Sequence, residues 1–184
     1  VLGAVQDLGL GWVKLQVEWS VFEPSRGNID WGALAGIVTA IKGRNLRVLF
    51  SVVHAPAWAR STTVDNGPPA NYADYATFVG ALAARFRGRV DAYEVWNEQN
   101  LLREWRTSPQ KIDVARYLQM LNLAYKMIKA KDPNIIVISG ALSPTGVDNG
   151  IDSVDDFRYL EQMVNAGLLS NADCVGVHHN GYNI

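Results

Sequence analysis

Val90-Asp91-Ala92-Tyr93-Glu94-Val95-Trp96-Asn97-Glu98-Gln99-Asn100 is the most informative stretch of the sequence. Its apolar, β-branched and aromatic character predicts a strand running to Trp96, with Asn97 and Glu98 standing where the strand gives way to a loop. Side chains alternate between the faces of a regular strand, so Glu94, Trp96 and Glu98 are expected on one side. A single glutamate at a strand end is usually a salt-bridge partner or a helix cap. Tryptophan and asparagine beside it at the end of a strand favour chemistry instead.

Outward from this stretch, four further apolar runs share its character: 11–17, 46–53, 135–139 and 174–177. Their spacing of roughly 35–45 residues is that of successive βα units. The segments between them have helical periodicity and recognisable ends. Asp30 is placed to cap a helix whose apolar face is Trp31, Leu34, Ile37, Val38 and Ile41, with Gly43 as its stop. Asn71 opens a second, with Tyr75, Phe78, Val79, Leu82 and Phe86 as its stripe before Gly88. A third runs from about Asp113 to Lys131 and buries Tyr117, Leu121, Ala124, Tyr125 and Ile128 ahead of Pro133. Ser153-x-x-Asp156 resembles a capping box for Phe157, Leu160, Met163 and Val164, closed by Gly167. Residues 1–10 read as the tail of one more helix. Five strands with helices between them make an α/β chain with a parallel sheet. Neither a G-x-G-x-x-G turn nor a phosphate-binding loop occurs, so an open nucleotide-binding sheet is the weaker option. The βα turns carry carboxylates, histidines and tryptophans, as does the C-terminal rim of a (β/α)8 TIM barrel.

The 184 residues (20.3 kDa) are 48% hydrophobic, 19% charged and 10% aromatic, which excludes a disordered or collagen-like chain. With 17 Lys+Arg against 18 Asp+Glu, no basic footprint points to nucleic acid. Cys174 is the single cysteine, so an internal disulfide and a cysteine-rich zinc site are excluded. No apolar run approaches the ~20 residues that cross a bilayer. Eight βα units need about 250 residues. Five strands within 1–184 are therefore expected to be an incomplete barrel, its open edges covered by the rest of the barrel or by another chain.

Three more strand ends carry polar and aromatic groups: Val17-Glu18-Trp19 followed by Phe22-Glu23-Pro24, Val53-His54-Ala55-Pro56-Ala57-Trp58-Ala59-Arg60, and His178-His179-Asn180-Gly181-Tyr182-Asn183. Each has a bland account alone: tryptophan as packing, histidine as a satisfied polar neighbour. Glu23 reads as structural, a loop carboxylate fixing its turn through backbone N–H groups. Four such loops on one rim suit a pyranose, whose apolar C–H faces stack on aromatic rings while its hydroxyls meet Asn, Glu and His. An oligo- or polysaccharide is the expected partner.

Trp96-Asn97-Glu98-Gln99-Asn100 resembles the W-N-E-P-N signature of the large clan of retaining (β/α)8 glycoside hydrolases that includes family 5 cellulase-like and family 39 xylosidase-like enzymes. Trp19 through Phe22-Glu23-Pro24 to Gly27 and Asp30-Trp31, the Pro56-Ala57-Trp58-Ala59 loop, and Ile128-Lys129 to Asp132-Pro133 are similar to other segments of that clan. The resemblance covers nearly the whole chain and implies that its strands are barrel strands two to six. It implies that Glu98 is the general acid/base at the end of strand four and that Asn97 binds the hydroxyl next to the reacting carbon. Trp19, Trp58, Trp96 and Trp105 then hold sugar faces, and His54 and His178 bind hydroxyls. Position 99 is Gln where the clan carries Pro. The strand-six motif His178-His179-Asn180-Gly181-Tyr182 displaces Tyr182 from the clan's H-x-Y spacing. The clan's nucleophile, a Glu at the end of strand seven, is expected beyond Ile184. Burial and that second carboxylate are expected to raise the Glu98 pKa toward neutrality. No cofactor or metal is implied, and polysaccharide hydrolases are often exported, which favours a secreted or cell-surface setting.

Two other classes stay open at this point. His54, Glu98 and His178 suit a mixed N/O site in a metal-dependent sugar isomerase, although no H-x-H or H-x-x-x-H spacing supports it. A non-catalytic carbohydrate-binding fragment is the other. Ser108-x-x-Lys111 superficially matches a nucleophile pair, but Ser108 before Pro109 reads better as a helix N-cap.

Overall fold

The computed structural model describes residues 2–180. In chain order these form α1 (Leu2–Asp7), β1 (Trp12–Glu18), α2 (Trp19–Phe22), α3 (Gly32–Lys42), β2 (Arg47–Val53), α4 (Tyr72–Arg85), β3 (Ala92–Asn97), α5 (Val114–Lys131), β4 (Ile136–Ala141) and α6 (Asp156–Asn165), with 3-10 turns at Ala57–Ala59 and Leu168–Ser170. The four strands make one parallel sheet in the order β1-β2-β3-β4. Register pairs Glu18 with Val53, Ser51 with Glu94, and Asn97 with Ala141, which aligns the C-terminal strand ends along one rim. On β1, Trp12, Lys14 and Gln16 are exposed on the concave side, whereas Val17 belongs to the buried core. Val48, Phe50 and Val52 of β2, and Tyr93 and Val95 of β3, join that core with the apolar stripes of α3, α4 and α5.

Helix starts follow the local chemistry. Asn71 and Asp113 accept the backbone N–H groups of the first turns of α4 and α5. The N-cap of α3 is Trp31 and not the expected Asp30, whose carboxylate still accepts from Gly32 N–H at 2.8 Å. Two stripes differ from expectation. Ile37 is 46% exposed, leaving Leu34, Val38 and Ile41 as the inner face of α3. The cap of α6 is Asp155, because the Ser153 hydroxyl is committed to the Val147 carbonyl. Starting there, α6 buries Tyr159 and Met163, and Phe157, two residues before Tyr159, faces solvent at 79% exposure. Ser108 lies in a loop and caps nothing, since α5 begins only at Val114.

The fifth apolar run is not a regular strand. It meets β4 at two isolated parallel bridges, Ile138 with Cys174 and Leu142 with Val177. Four steps along one chain match three along the other, so one residue is bulged. Gly176 N–H donates to the Ser139 hydroxyl at 3.1 Å instead of to a carbonyl. A Cβ at Gly176 would stand 2.3 Å from the Ser139 carbonyl oxygen, so only glycine permits this approach.

Beneath the rim, aromatic rings form a continuous chain. Phe78 stacks on Trp19 at 5.4 Å, and edge contacts of 5.8–5.9 Å run from Trp19 to Tyr75, Trp96, Trp105 and Tyr117. Each such contact adds about 0.5–1.5 kcal/mol beyond the area it buries. The Tyr75 hydroxyl donates to the Val52 carbonyl, and the Tyr117 hydroxyl donates to the Val95 carbonyl while accepting from Gly140 N–H. The chain therefore ties helices to strand ends. Tyr117→Phe strands the buried Gly140 N–H and is expected to lower the unfolding free energy by about 1–3 kcal/mol. Urea denaturation measures this, and an unchanged midpoint would show that the hydroxyl holds nothing.

Candidate active site

Glu18 ends β1, His54 follows β2, Asn97 ends β3 with Glu98 next to it, and His178 follows the irregular segment beside β4. Left-handed backbone at non-glycine residues shapes this rim at His54 (φ 56°), at Glu98 (φ 48°) and at Trp96 (φ 75°) just before Asn97. Such conformations cost about 1–3 kcal/mol each and persist only where the surroundings fix them. At Trp96 the fixing groups are visible. Its indole is fully buried between Tyr75 and Trp105, and its Nε1–H donates to the Glu104 carbonyl at 3.0 Å. Trp96 thus leaves the face that regular alternation assigns it, whereas Glu94 and Glu98 remain on the barrel side. Glu98 N–H donates to the Ala141 carbonyl at 2.8 Å, which ties the turn to β4.

Glu98 is 5% exposed and both its carboxylate oxygens are engaged. His178 Nδ1 stands 2.9 Å from Oε1, and Arg103 Nη2 donates to Oε2 at 2.7 Å. Lys14 Nζ lies 3.5 Å from His178 Nε2 and 2.6 Å from Glu94 Oε2. A carboxylate on one ring nitrogen and an ammonium facing the other assign His178 the Nδ1–H tautomer. On the opposite flank, Glu104 Oε1 lies 4.0 Å from Arg103 Nε, and His54 stands 3.5 Å from both Glu104 and Glu18. Acidic and basic groups are interspersed along this path from Glu94 to Glu18, with Lys14 and His178 adjacent in it.

The hydrogen bond from His178 is the largest influence on Glu98. It outweighs burial and, joined by Arg103, holds the carboxyl at about 2, against an ordinary 4.5. The elevated value expected from the sequence is thus reversed among the described residues, because the neighbours of Glu98 are cationic or hydrogen-bond donors. His54 is shifted upward, chiefly by Glu104 and further by Glu18, against the opposing effect of burial.

The other residues singled out in the sequence divide into two groups. Asn97 is half-buried, and its side-chain amide makes no hydrogen bond among the described residues. Trp58 is half-buried, donates to the Glu23 carbonyl at 3.0 Å and has the Arg26 guanidinium over its ring at 4.4 Å. Trp19, Trp96 and Trp105 are fully buried core residues with no ring face open to a ligand. Glu23 is structural as read: its carboxylate accepts from Gly27 N–H at 2.7 Å and from Trp19 Nε1–H at 2.6 Å. Tyr182 lies outside the described residues. His54 sits with Glu18 and Glu104, apart from the Glu98–His178 pair, and no group of three His, Cys, Asp or Glu able to hold a metal occurs among the described residues.

Sequence reasoning missed Lys14, Arg103 and Glu104 as members of the site. Lys14 carried a signal, since a charge at the same parity as Gln16 and Glu18 faces the barrel interior. Arg103 and Glu104 lie in an irregular loop with no period to read. Asn100 and Gln99 turn out to be anchors. The Asn100 amide bonds Ser143 N–H and the Ser143 and Val154 carbonyls, and Gln99 Nε2 donates to the Gly140 carbonyl at 2.9 Å.

No protein-family model matches the sequence, and no curated protein does. Solved structures do match in three dimensions. A family 39 glycoside hydrolase from Bacteroides cellulosilyticus WH2 superposes with a TM-score of 0.74 at 19% identity, over 96% of this chain and 34% of its own. A GH39 β-xylosidase from Caulobacter crescentus gives 0.70 at 18%, over 100% of this chain and 42% of its own. GH5_18 from Streptomyces cattleya in complex with GlcNAc gives 0.62 at 22%, over 77% and 38%. The chain thus spans about two fifths or less of the length of these structures. At such identities the likeness is one of fold, and the fold is an incomplete (β/α)8 barrel of the kind these glycoside hydrolases share.

Proposed function

We propose that residues 1–184 are part of the catalytic barrel of a retaining glycoside hydrolase that cleaves O-glycosidic bonds of an oligo- or polysaccharide. Glu98 is its general acid/base, and the nucleophilic carboxylate comes from barrel residues outside this chain. The observation that carries the reading is Glu98 itself: a nearly buried carboxyl at the C-terminal end of a barrel strand, turned to the barrel side by left-handed backbone and flanked by the half-buried Asn97. Active sites of such barrels are built at this end of the strands. The fold neighbours, named as a β-xylosidase and a β-galactosidase among others, add weight to a glycoside substrate.

In this reading Glu98 gives its proton to the departing glycosidic oxygen as the C–O bond breaks and the nucleophile bonds the anomeric carbon. As a carboxylate it then takes a proton from the water that releases the sugar. Asn97 binds the neighbouring sugar hydroxyl. Trp58, half-buried with Arg26 over one ring face, is the rim tryptophan among the described residues left to meet a sugar at its open side, and His54 and His178 stand at hydroxyl-binding positions. A pKa of about 2 suits the carboxylate half of this cycle and opposes the acid half. A second carboxylate ~5 Å away, as retaining enzymes require, pushes the value back up.

That same depressed pKa favours a second reading, a carbohydrate-binding fragment in which Glu98 only accepts hydrogen bonds. Glu98→Gln separates the two. In the full-length protein it is expected to lower kcat on glycosides with poor leaving groups by 10²–10⁴, with a much smaller loss on activated aryl glycosides. A loss below about tenfold on the poor leaving groups would remove Glu98 from the acid/base role. The pairing also predicts a pH signature in stability. A folded-state pKa below the ordinary 4.5 stabilises the fold above that pH, and the contribution disappears as the pH falls through about 2. The stability gap between wild type and Glu98→Gln in urea should be constant above pH 5 and close below 4.5. A gap that ignores pH would mean that the carboxylate charge is not what His178 and Arg103 hold.

A further inference from the structure

We propose that Arg103 is a positioning residue that sets the charge state of Glu98, holding the carboxylate while it sits on Oε2 and licensing protonation when it swings to Glu104. The inference rests on the acid/base reading of Glu98 and adds the device that switches it.

The two partners of Glu98 differ in how firmly they are held. The residue carrying the imidazole is pinned, because His178 N–H donates to the Leu142 carbonyl at 3.1 Å and its ring is held between Glu98 and Lys14. Arg103 is the opposite: its side chain is 67% exposed, and its contacts are Glu98 at 2.7 Å and Glu104 at 4.0 Å. The backbone beneath it is nevertheless fixed. Leu102 N–H donates to the Asp152 carbonyl, Trp105 is fully buried, and Arg106 is paired with Asp65 at 2.7 Å. A solvent-exposed guanidinium on an anchored loop can change partners by side-chain rotation alone, at little cost.

Every charged group around Glu98 among the described residues fits this assignment. From the loop after β3 come Arg103 and Glu104, and from beside β4 comes His178. Lys14 of β1 stands behind His178 and is neutralised by Glu94 of β3. His54 and Glu18 act on Glu104 rather than on Glu98. Arg103 is therefore the full positive charge in direct contact with Glu98 that can leave, and Glu104 is a carboxylate placed to receive it. When Glu98 donates its proton, the new carboxylate regains Arg103. When the carboxylate takes a proton from water, Arg103 is released.

The test is carboxyl titration by ¹³C NMR of the full-length protein labelled at glutamate side chains, with the Glu98 signal assigned by its loss in Glu98→Gln. Arg103→Met, which keeps the length and removes the charge, is expected to raise the Glu98 titration by about one pH unit or more, and Arg103→Lys to return most of the shift. An unmoved titration overturns the proposal. In the full-length enzyme the basic limb of kcat/KM moves to higher pH in Arg103→Met. A moved titration with an unmoved limb overturns the catalytic role of Arg103. Failure of the acid/base reading registers separately, as Glu98→Gln retaining both turnover and its basic limb.

Discussion

The burial of Trp96 is the constraint on which the rim depends. Its indole fills the space between Tyr75 and Trp105 only because the backbone at Trp96 adopts φ 75°, which regular strand geometry forbids. That turn carries the chain into a second left-handed residue, Glu98, whose N–H reaches across to Ala141. The apolar energy of one aromatic side chain thus offsets the strain that aims a carboxyl at the barrel side. Core and rim are two ends of the same lever, and the aromatic chain from Phe78 to Tyr117 keeps its fulcrum rigid.

Above that lever the rim is organised by charge. Lys14, His178 and Arg103 are interspersed with Glu94, Glu98 and Glu104, so the buried carboxylates of Glu94 and Glu98 each have a donor close by. Desolvating an unpaired carboxylate costs several kcal/mol, and an acidic rim is tolerable only because these donors are interleaved. The consequence for chemistry is specific: the same groups that make the rim foldable bias Glu98 toward its ionised form. On the proposed acid/base reading Glu98 must visit both forms, so one donor has to be displaceable, and the exposed one in this chain is Arg103.

Much of the fold was legible in the sequence because it rests on period and punctuation. The positions of β1 to β4, the apolar stripes of α4 and α5, and the caps at Asn71 and Asp113 are local, and local chemistry decides them. Errors arose where a local rule had a tertiary competitor. The fifth strand lost its ladder to a serine hydroxyl and a close glycine approach. Phe157 and Ile37 fell outside their stripes because packing against neighbours fixes the rotation of a helix. Trp19, Trp96 and Trp105 look like sugar platforms in sequence and are core in the structure, since a tryptophan near a loop has the same local sequence whether it faces a ligand or the core.

By itself the sequence determined the alternation of strands and helices, the rim to which Glu98 belongs and the structural duty of Glu23, each fixed by residues within a few positions of one another. Only the tertiary structure decided which tryptophans are core, which cations reach Glu98 and in what charge state it rests. Arg103 is five residues from Glu98, His178 is eighty, and Lys14 lies on a strand two places away in the sheet. Electrostatic contacts act through space at a few ångströms, and sequence separation carries no measure of that distance until the chain has folded.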